Sequence, residues 1–176
     1  MEMKKERALF VINQSAILGL IQVLFLVVLL LSNKLFTKWD NISFFISLAF
    51  VYWSSTKYRD KFCDGFIRYG KAFNYGLKLM VLSGIIIGFF YFILLKTATG
   101  IAEEQIHTML GALQEVGYPN NMIEEIESFM LKSYPLLMFF GNIFSAFFTG
   151  LIVSLLTSIF VKRIQNPFQE AMKDVE

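Results

Sequence analysis

Four long stretches without a charged residue constrain what this chain can fold into: residues 8–33, 41–56, 79–95 and 133–161. At a rise of about 1.5 Å per residue, helices of these lengths span roughly 39, 24, 26 and 44 Å. The hydrocarbon core of a bilayer is about 30 Å thick, so such runs are typical of transmembrane helices. A hydrophobic content of 56% and a mean hydropathy of +0.57 are too high for an ordinary soluble domain. The sequence therefore predicts an all-α integral membrane protein.

The predicted architecture is a single membrane domain over residues 1–176 with four transmembrane helices. The spans cover about residues 8–32, 40–56, 72–95 and 134–161, with a helical hairpin over residues 97–133 and a basic loop over residues 57–71. The second span is the shortest of the four, so a re-entrant segment is the alternative at that position.

Basic residues are distributed unevenly between the loops. If the first span leaves the cytoplasm, twelve of them lie on the cytoplasmic side: Lys4, Lys5, Arg7, Lys57, Arg59, Lys61, Arg68, Lys71, Lys78, Lys162, Arg163 and Lys173. Only Lys34, Lys38, Lys96 and Lys132 lie on the other side. Because short basic loops are retained in the cytoplasm, we predict that both termini are cytoplasmic and that the hairpin is extracytoplasmic.

The predicted hairpin has apolar residues at helical spacing on both of its arms. They are Ile106, Met109, Leu110 and Leu113 on the first arm and Met122, Ile123, Ile126, Phe129 and Met130 on the second. The segment Gly117-Tyr-Pro-Asn-Asn121 separates the arms, and glutamates occupy the opposite faces. The apolar faces are predicted to pack on each other and on the membrane surface, with a partner-binding groove as the alternative.

Small residues recur four positions apart within the spans, which places them on one face of a helix. Gly84 and Gly88 in the third span, and Ala146 and Gly150 in the last, are the candidate packing residues. Small side chains let helix backbones approach closely where lipid supplies no hydrophobic driving force. Packing within the bundle is the prediction, and a homodimer interface is the alternative.

No constellation of residues for catalysis, metal binding or phosphate binding stands out. The chain has one cysteine, Cys63, and one histidine, His107, which the predicted topology places on opposite sides of the membrane. Glu104 and His107 form half of a di-iron carboxylate motif, whose second half is missing. We therefore predict a protein that is not an enzyme and has no cofactor and no metal. An interfacial lipid-headgroup enzyme using Arg59, Asp60 and Asp64 is an alternative.

The strongly polar residues inside the spans are all uncharged: Asn13, Gln14, Gln22 and Asn142. Gln22 and Asn142 lie at similar depths below the outer ends of the first and last runs, at about 17 and 14 Å. An interhelical hydrogen bond between their amides is the structural prediction. The alternative is a transporter or channel for a small neutral solute, lined by Gln14, Gln22 and Asn142.

The basic loop alternates positive charge with aromatic residues next to two spans. Its candidate contacts with anionic lipid headgroups are Lys57, Arg59, Lys61, Arg68, Lys71 and Lys78. The position of this loop beside the membrane favours lipid over nucleic acid. Arg59 and Asp60 are expected to pair with Asp64 and Lys71 and so to shape the turn.

Several segments together resemble one bacterial family of four-helix membrane proteins, domain of unknown function 4199. They are Tyr58-Arg-Asp-Lys61, Gly65-Phe-Ile-Arg-Tyr-Gly-Lys-Ala-Phe73, Gly76 and the acidic run that ends at Glu127. The resemblance implies a bacterial cytoplasmic membrane and the same topology, but no activity. Residues 97–100 depart from the acidic–proline pair that family members often carry there. We expect an accessory or interaction protein whose partners are membrane lipids and a membrane protein or a second copy of the chain.

Overall fold

The computed structural model describes residues 2–32, 35 and 41–163. Five helices cover most of this range: α1 (Glu2–Leu31), α2 (Ile42–Phe62), α3 (Tyr69–Thr97), α4 (Thr99–Glu115) and α5 (Asn120–Val161). The fold is therefore all-α. Lys34, Lys38 and Lys173 from the charge count, and the expected start of the second span at Asp40, lie outside the described residues.

The observed helices extend beyond the expected spans, and the two largest differences are at the end of α2 and the start of α5. Helix α2 continues to Phe62, so Lys57, Arg59 and Lys61 lie on a helix and not in a loop. It ends there because Asp64 and Gly65 adopt positive φ angles of 49° and 81°, which no helix can continue.

The second difference is at the start of the last span, because α5 begins at Asn120 and not near residue 134. It runs without a break through Pro135, where the expected boundary between hairpin and span lies. A proline removes one hydrogen bond from the helix ladder, and membrane helices tolerate that loss.

Three of the described helices, α1, α3 and α5, have the length and apolar composition of a membrane span. Helix α2 does not, because its last two turns carry Lys57, Arg59, Asp60 and Lys61. Helix α3 occupies the middle of the bundle and packs against both α1 and α5. Helix α2 contacts α1, α3 and α5, whereas the backbones of α1 and α5 do not approach each other closely within the described residues. Helix α2 thus fills part of the space between α1 and α5.

Small residues bring α3 and α5 together in an antiparallel pair. A Cβ atom built on Gly84 would overlap the Cβ of Ala146. A Cβ on Gly88 would lie 2.8 Å from the backbone oxygen of Phe139, and one on Gly150 would lie 2.8 Å from the Cβ of Met80. The two backbones are therefore as close as these residue types permit.

One end of the bundle is closed by contacts between the ends of four helices, and we call it the basic end. The Arg7 guanidinium donates to the Phe62 carbonyl oxygen at 3.1 Å, which attaches the start of α1 to the last residue of α2. Ile67 and Arg163 pair through two backbone hydrogen bonds of 2.9 and 3.1 Å. Exposed basic side chains are concentrated at this end: Lys4, Lys5, Lys57, Lys61, Arg68, Lys71, Lys162 and Arg163.

Helix α4 packs on the first turns of α5 at the opposite end. Ile106 and Leu110 on α4 and Ile123 on α5 form a small buried apolar cluster. Other apolar side chains of this region remain exposed, including Val116, Met122 and Phe129.

Candidate functional site

Helix α2 is too short to fill the space between α1 and α5 along their whole length. It runs antiparallel to α1, with Tyr58 beside Phe10 and Ser47 beside Gln22. The first residue of α2 is Ile42, five residues before Ser47, so α2 begins opposite about residue 27 of α1. Helix α1 continues for about four more residues to Leu31, a length of roughly 6 Å. Above the start of α2, Leu35 packs against Leu26, Leu29 and Tyr91.

A cavity of about 620 Å³ lies beside the first turns of α2. It is lined by residues of all four long helices and by Asn41: Gln22, Leu26, Asn41, Ser43, Phe44, Phe45, Ser47, Met80, Ser83, Ile87, Tyr91, Asn142, Ser145, Ala146 and Thr149. None of these residues carries a charge. Its volume falls within the range of about 300–1,000 Å³ that is common for small-molecule sites. Uncharged hydrogen-bonding groups in such a cavity suit an uncharged polar solute.

The side chain of Gln22 is held on one side of this cavity by two serines of α2. Its Nε2 donates to Ser47 Oγ at 2.6 Å and lies 3.3 Å from Ser43 Oγ. Gln22 is only 4% exposed, and its Oε1 has no hydrogen-bond partner among the described residues. A buried carbonyl oxygen without a donor loses its hydration and gains nothing in return, at a cost of about 1–3 kcal/mol.

The opposite walls present oxygen atoms as well. Asn142 Nδ2 donates to the Met138 carbonyl oxygen at 2.8 Å, within α5. Ser83 Oγ donates to the Met80 carbonyl oxygen at 2.8 Å, within α3. These bonds connect Ser83 and one N–H of Asn142 to their own helices, and no hydrogen bond among the described residues reaches the amide oxygen of Asn142.

A layer of apolar side chains closes the cavity toward the basic end. Leu18, Val51, Leu79 and Val153, one from each of α1, α2, α3 and α5, are fully buried in one apolar cluster. A second polar group lies beyond this layer, where Ser54 Oγ is 2.5 Å from the Tyr75 hydroxyl and 3.4 Å from Gln14 Oε1. The apolar layer therefore separates two polar regions inside the bundle.

Gln22 and Asn142 both line the cavity, but they do not form a hydrogen bond with each other. Gln22 bonds to α2 and Asn142 bonds within α5, so the direct amide–amide bond expected from sequence is absent from the described contacts. Gln14 lies below the apolar layer and not in the cavity wall. The sequence did not indicate that Ser43, Ser47 and Ser83 line a cavity. Their only distinguishing feature in the sequence is that they are isolated serines within apolar runs.

Five of the six candidate lipid-contacting residues are exposed: Lys57, Lys61, Arg68, Lys71 and Lys78. The Lys57 ammonium lies 3.8 Å from the centre of the Trp53 ring. Arg59 differs, because it is buried and points into the bundle. Its Nε donates to Asp60 at 2.8 Å, and its terminal nitrogen donates to the Val161 carbonyl oxygen at 3.4 Å. Arg59 therefore holds the end of α5 instead of facing lipid.

The residues considered for catalysis or metal binding do not assemble into a site. Arg59 pairs with Asp60, and no ion pair to Asp64 or Lys71 occurs among the described contacts. His107 is exposed and its Nδ1 lies 3.7 Å from Glu127. Cys63 is a free, half-buried thiol. Within the described ranges, no group of three or more His, Cys, Asp or Glu side chains is placed to hold a metal ion.

The Tyr58–Lys61 and Gly65–Phe73 segments, which carried the family resemblance, build the basic end of this bundle. Tyr58 stacks on Tyr75 with ring centres 4.3 Å apart, and Ile67 pairs with Arg163. Neither a curated protein nor a solved structure matches the chain. The family model described as "Protein of unknown function (DUF4199)" matches residues 14–163, and the chain therefore belongs to this family.

Proposed function

We propose that this protein is a non-catalytic membrane protein that binds a small uncharged polar solute between its helices and lets it cross the bilayer. The observation that carries the proposal is the cavity of about 620 Å³, whose described lining residues include many hydrogen-bonding groups and no charged side chain. A solute that leaves water must replace its lost hydrogen bonds, and the amides and hydroxyls of the cavity can supply them. The lining residues that the structure describes are all uncharged, which favours a neutral solute over an ion.

Flux into reconstituted vesicles tests this function. We expect vesicles that contain the protein to swell in glycerol or urea several-fold faster than protein-free vesicles, as measured by light scattering. Gln22→Ala and Asn142→Ala should each lower that rate, because each removes a hydrogen-bonding group from the cavity. Asn13→Ala is the matched control, since Asn13 is exposed on α1 and is not part of the lining. Equal swelling with and without the protein would refute the proposal.

We further propose that the chain crosses a bacterial cytoplasmic membrane four times, with both termini in the cytoplasm. The basic end supports this topology, because it gathers the start of α1, the end of α2, the start of α3 and the end of α5. Helix α2 must then return the chain to the cytoplasmic side, and residues 97–133 lie outside. Exposed basic residues at this end, such as Lys57 and Lys71, would contact anionic headgroups.

Reporter fusions check this topology. Fusions after Asn33, Lys61, Gly117 and Glu176 should report outside, inside, outside and inside. If the fusion at Lys61 reports outside, α2 does not cross the membrane and the four-span arrangement is refuted.

A second candidate function is that of an accessory protein that binds another membrane protein through its outer end. The observation in its favour is a group of exposed apolar side chains where α4 meets α5, among them Val116, Met122 and Phe129. Glutamates next to this group in sequence are exposed, at positions 115, 124 and 125, so a basic apolar partner surface would complement it. Such a surface is typical of an interaction site, although α4 and α5 also pack on each other.

Cross-linking in native membranes discriminates between the two functions. For the accessory role, affinity purification should recover one reproducible protein cross-linked within residues 100–132. Replacing both Met122 and Phe129 by serine should abolish its recovery, whereas replacing Leu136 and Leu137, which are exposed further along α5, should not. Recovery of the chain without any partner would count against the accessory role and leave solute transport as the remaining candidate.

A further inference from the structure

Lys78 is exposed, but it lies further along α3 than the lysines and arginines of the basic end. A Cβ atom built on Gly76 would lie 2.7 Å from Ser154 Oγ, so these two residues are at the same level of the bundle. Lys78 is two residues beyond Gly76 and is therefore level with about residue 152 of α5. About ten residues of α5, or about 15 Å, separate this level from Lys162 at the basic end. With the basic end among the lipid headgroups, the Cα atom of Lys78 lies inside the hydrocarbon.

The charge of Lys78 is not balanced by another side chain among the described residues. Helix α3 contains no Asp or Glu. The ion pairs in the described part of the chain are Arg59 with Asp60 and His107 with Glu127, and none of the described hydrogen bonds involves the Lys78 ammonium. An ammonium group in hydrocarbon is costly unless an opposite charge or water compensates it. The compensation must therefore come from outside the bundle.

The geometry of a helix directs the Lys78 side chain back toward the basic end. The Cα–Cβ bonds of a helix tilt toward its N-terminus, and a long side chain lies over the preceding turn. Because α3 begins at the basic end, the stem of Lys78 leads its ammonium toward Asn74 and Lys71. These three are the exposed residues from position 71 to position 78, and their spacing of three and four places them on one helix face. We call Lys71, Asn74 and Lys78 the α3 donor stripe.

The same face of α3 is apolar on the side of Lys78 that points away from the basic end. It continues through Leu82, Ile85 and Phe89, at steps of four, three and four residues. Leu82 is half-buried, whereas Ile85 and Phe89 are 39% and 56% exposed. One face of the helix thus carries two ammonium groups and an amide followed by an apolar strip, which is the polarity of a lipid.

We propose that this face of α3 binds one anionic phospholipid of the cytoplasmic leaflet. Its phosphate accepts charge-assisted hydrogen bonds from the α3 donor stripe, and an acyl chain lies along the apolar strip. A lipid with net negative charge is favoured over phosphatidylethanolamine, whose own ammonium would be repelled by the two lysines. The inference rests on the proposed membrane topology and adds one ordered lipid site to the headgroup contacts of the basic end. It does not depend on solute transport, because neither the stripe nor the strip lines the cavity.

Native mass spectrometry of the protein in neutral detergent tests this site. Phosphatidylglycerol is added in increasing amounts, and the concentration at which half of the protein carries one lipid is measured. Lys78→Gln should raise this concentration roughly tenfold or more, and Asn74→Leu roughly three- to tenfold, as the loss of a charged and of a neutral hydrogen bond predict. Lys162→Gln removes an equal charge from the basic end and should leave it unchanged. Equal weakening by Lys78→Gln and Lys162→Gln would show attraction by overall charge and would overturn the proposal.

Competing molecules identify the source of the phosphate. Neither phosphatidylethanolamine nor inorganic phosphate in large excess should displace the bound phosphatidylglycerol. Displacement by inorganic phosphate would show a site for a free ion and would overturn the lipid. Phosphatidylglycerol with a photoreactive acyl chain should cross-link to α3 within residues 82–89, and cross-links confined to other helices would also refute the site.

These binding measurements are made in detergent, so they can be compared with the reporter fusions that test the topology. Fusions that report as predicted, together with no bound phosphatidylglycerol, would refute this inference alone. Fusions that place the basic end outside would refute the topology and, with it, the cytoplasmic leaflet as the source of the lipid.

Discussion

Gly84→Leu is expected to destabilise the bundle by about 3 kcal/mol or more, because α3 and α5 have no room between them at this point. Even the first side-chain carbon at position 84 would overlap the Cβ of Ala146. A leucine adds three further carbons, so the two helices must separate along their main interface. For a chain of this size, the midpoint of thermal unfolding should fall by roughly 10 °C. Size-exclusion chromatography of the heated, detergent-solubilised protein measures this shift.

Gly141→Leu provides the matched control, since a Cβ built on Gly141 meets no other atom within 4 Å. That variant should unfold close to the wild-type temperature. Combining Gly84→Ala with Ala146→Gly tests whether the two positions meet. Ala146→Gly removes the methyl group that an alanine at position 84 would overlap. The double variant should be more stable than Gly84→Ala alone. Additive losses in the double variant would show that these residues do not meet.

Arg59→Met is expected to cost about 2–3 kcal/mol of unfolding free energy, the usual value of a charge-assisted hydrogen bond in a protected position. The guanidinium bonds both the Asp60 carboxylate and the Val161 carbonyl oxygen at the end of α5. Its positive charge also interacts favourably with the negative end of the α5 helix dipole. Arg59→Lys should recover only part of the loss, because an ammonium cannot reproduce the geometry of two guanidinium donors.

Arg68→Met is the control for this substitution, since Arg68 belongs to the same basic end but is exposed. If Arg59 were a lipid contact like its neighbours, both variants would unfold at the same temperature and would bind anionic vesicles equally weakly. The structure predicts instead that Arg59→Met lowers the unfolding temperature, whereas Arg68→Met lowers only the binding to anionic vesicles. Thermal unfolding in neutral detergent, where no anionic lipid is present, separates the two effects.

Much of the helix content was predictable, because charge-free runs of this length have few other ways to satisfy their backbone in a membrane. The spacing of Gly84 and Gly88 places them on one helix face, and in the structure that face meets α5. The expected boundary between hairpin and span at residue 134 does not coincide with a helix end, because a proline is only a local signal. Pro135 lies within α5 and not at its start. The position of Arg59 was also beyond local reasoning, since its partner Val161 is 102 residues away in sequence.

The sequence by itself determined the apolar helices, the uneven distribution of basic residues and the lack of charge within the spans, because these depend only on which residues are adjacent along the chain. Only the tertiary structure decided that a cavity lies between Gln22, the first turns of α2 and the facing parts of α3 and α5. The hydrogen-bond partners of Gln22 and Asn142 also depend on the tertiary structure. An amide in a membrane span bonds whichever polar group the packing brings within about 3 Å, and that group is chosen by the arrangement of helices.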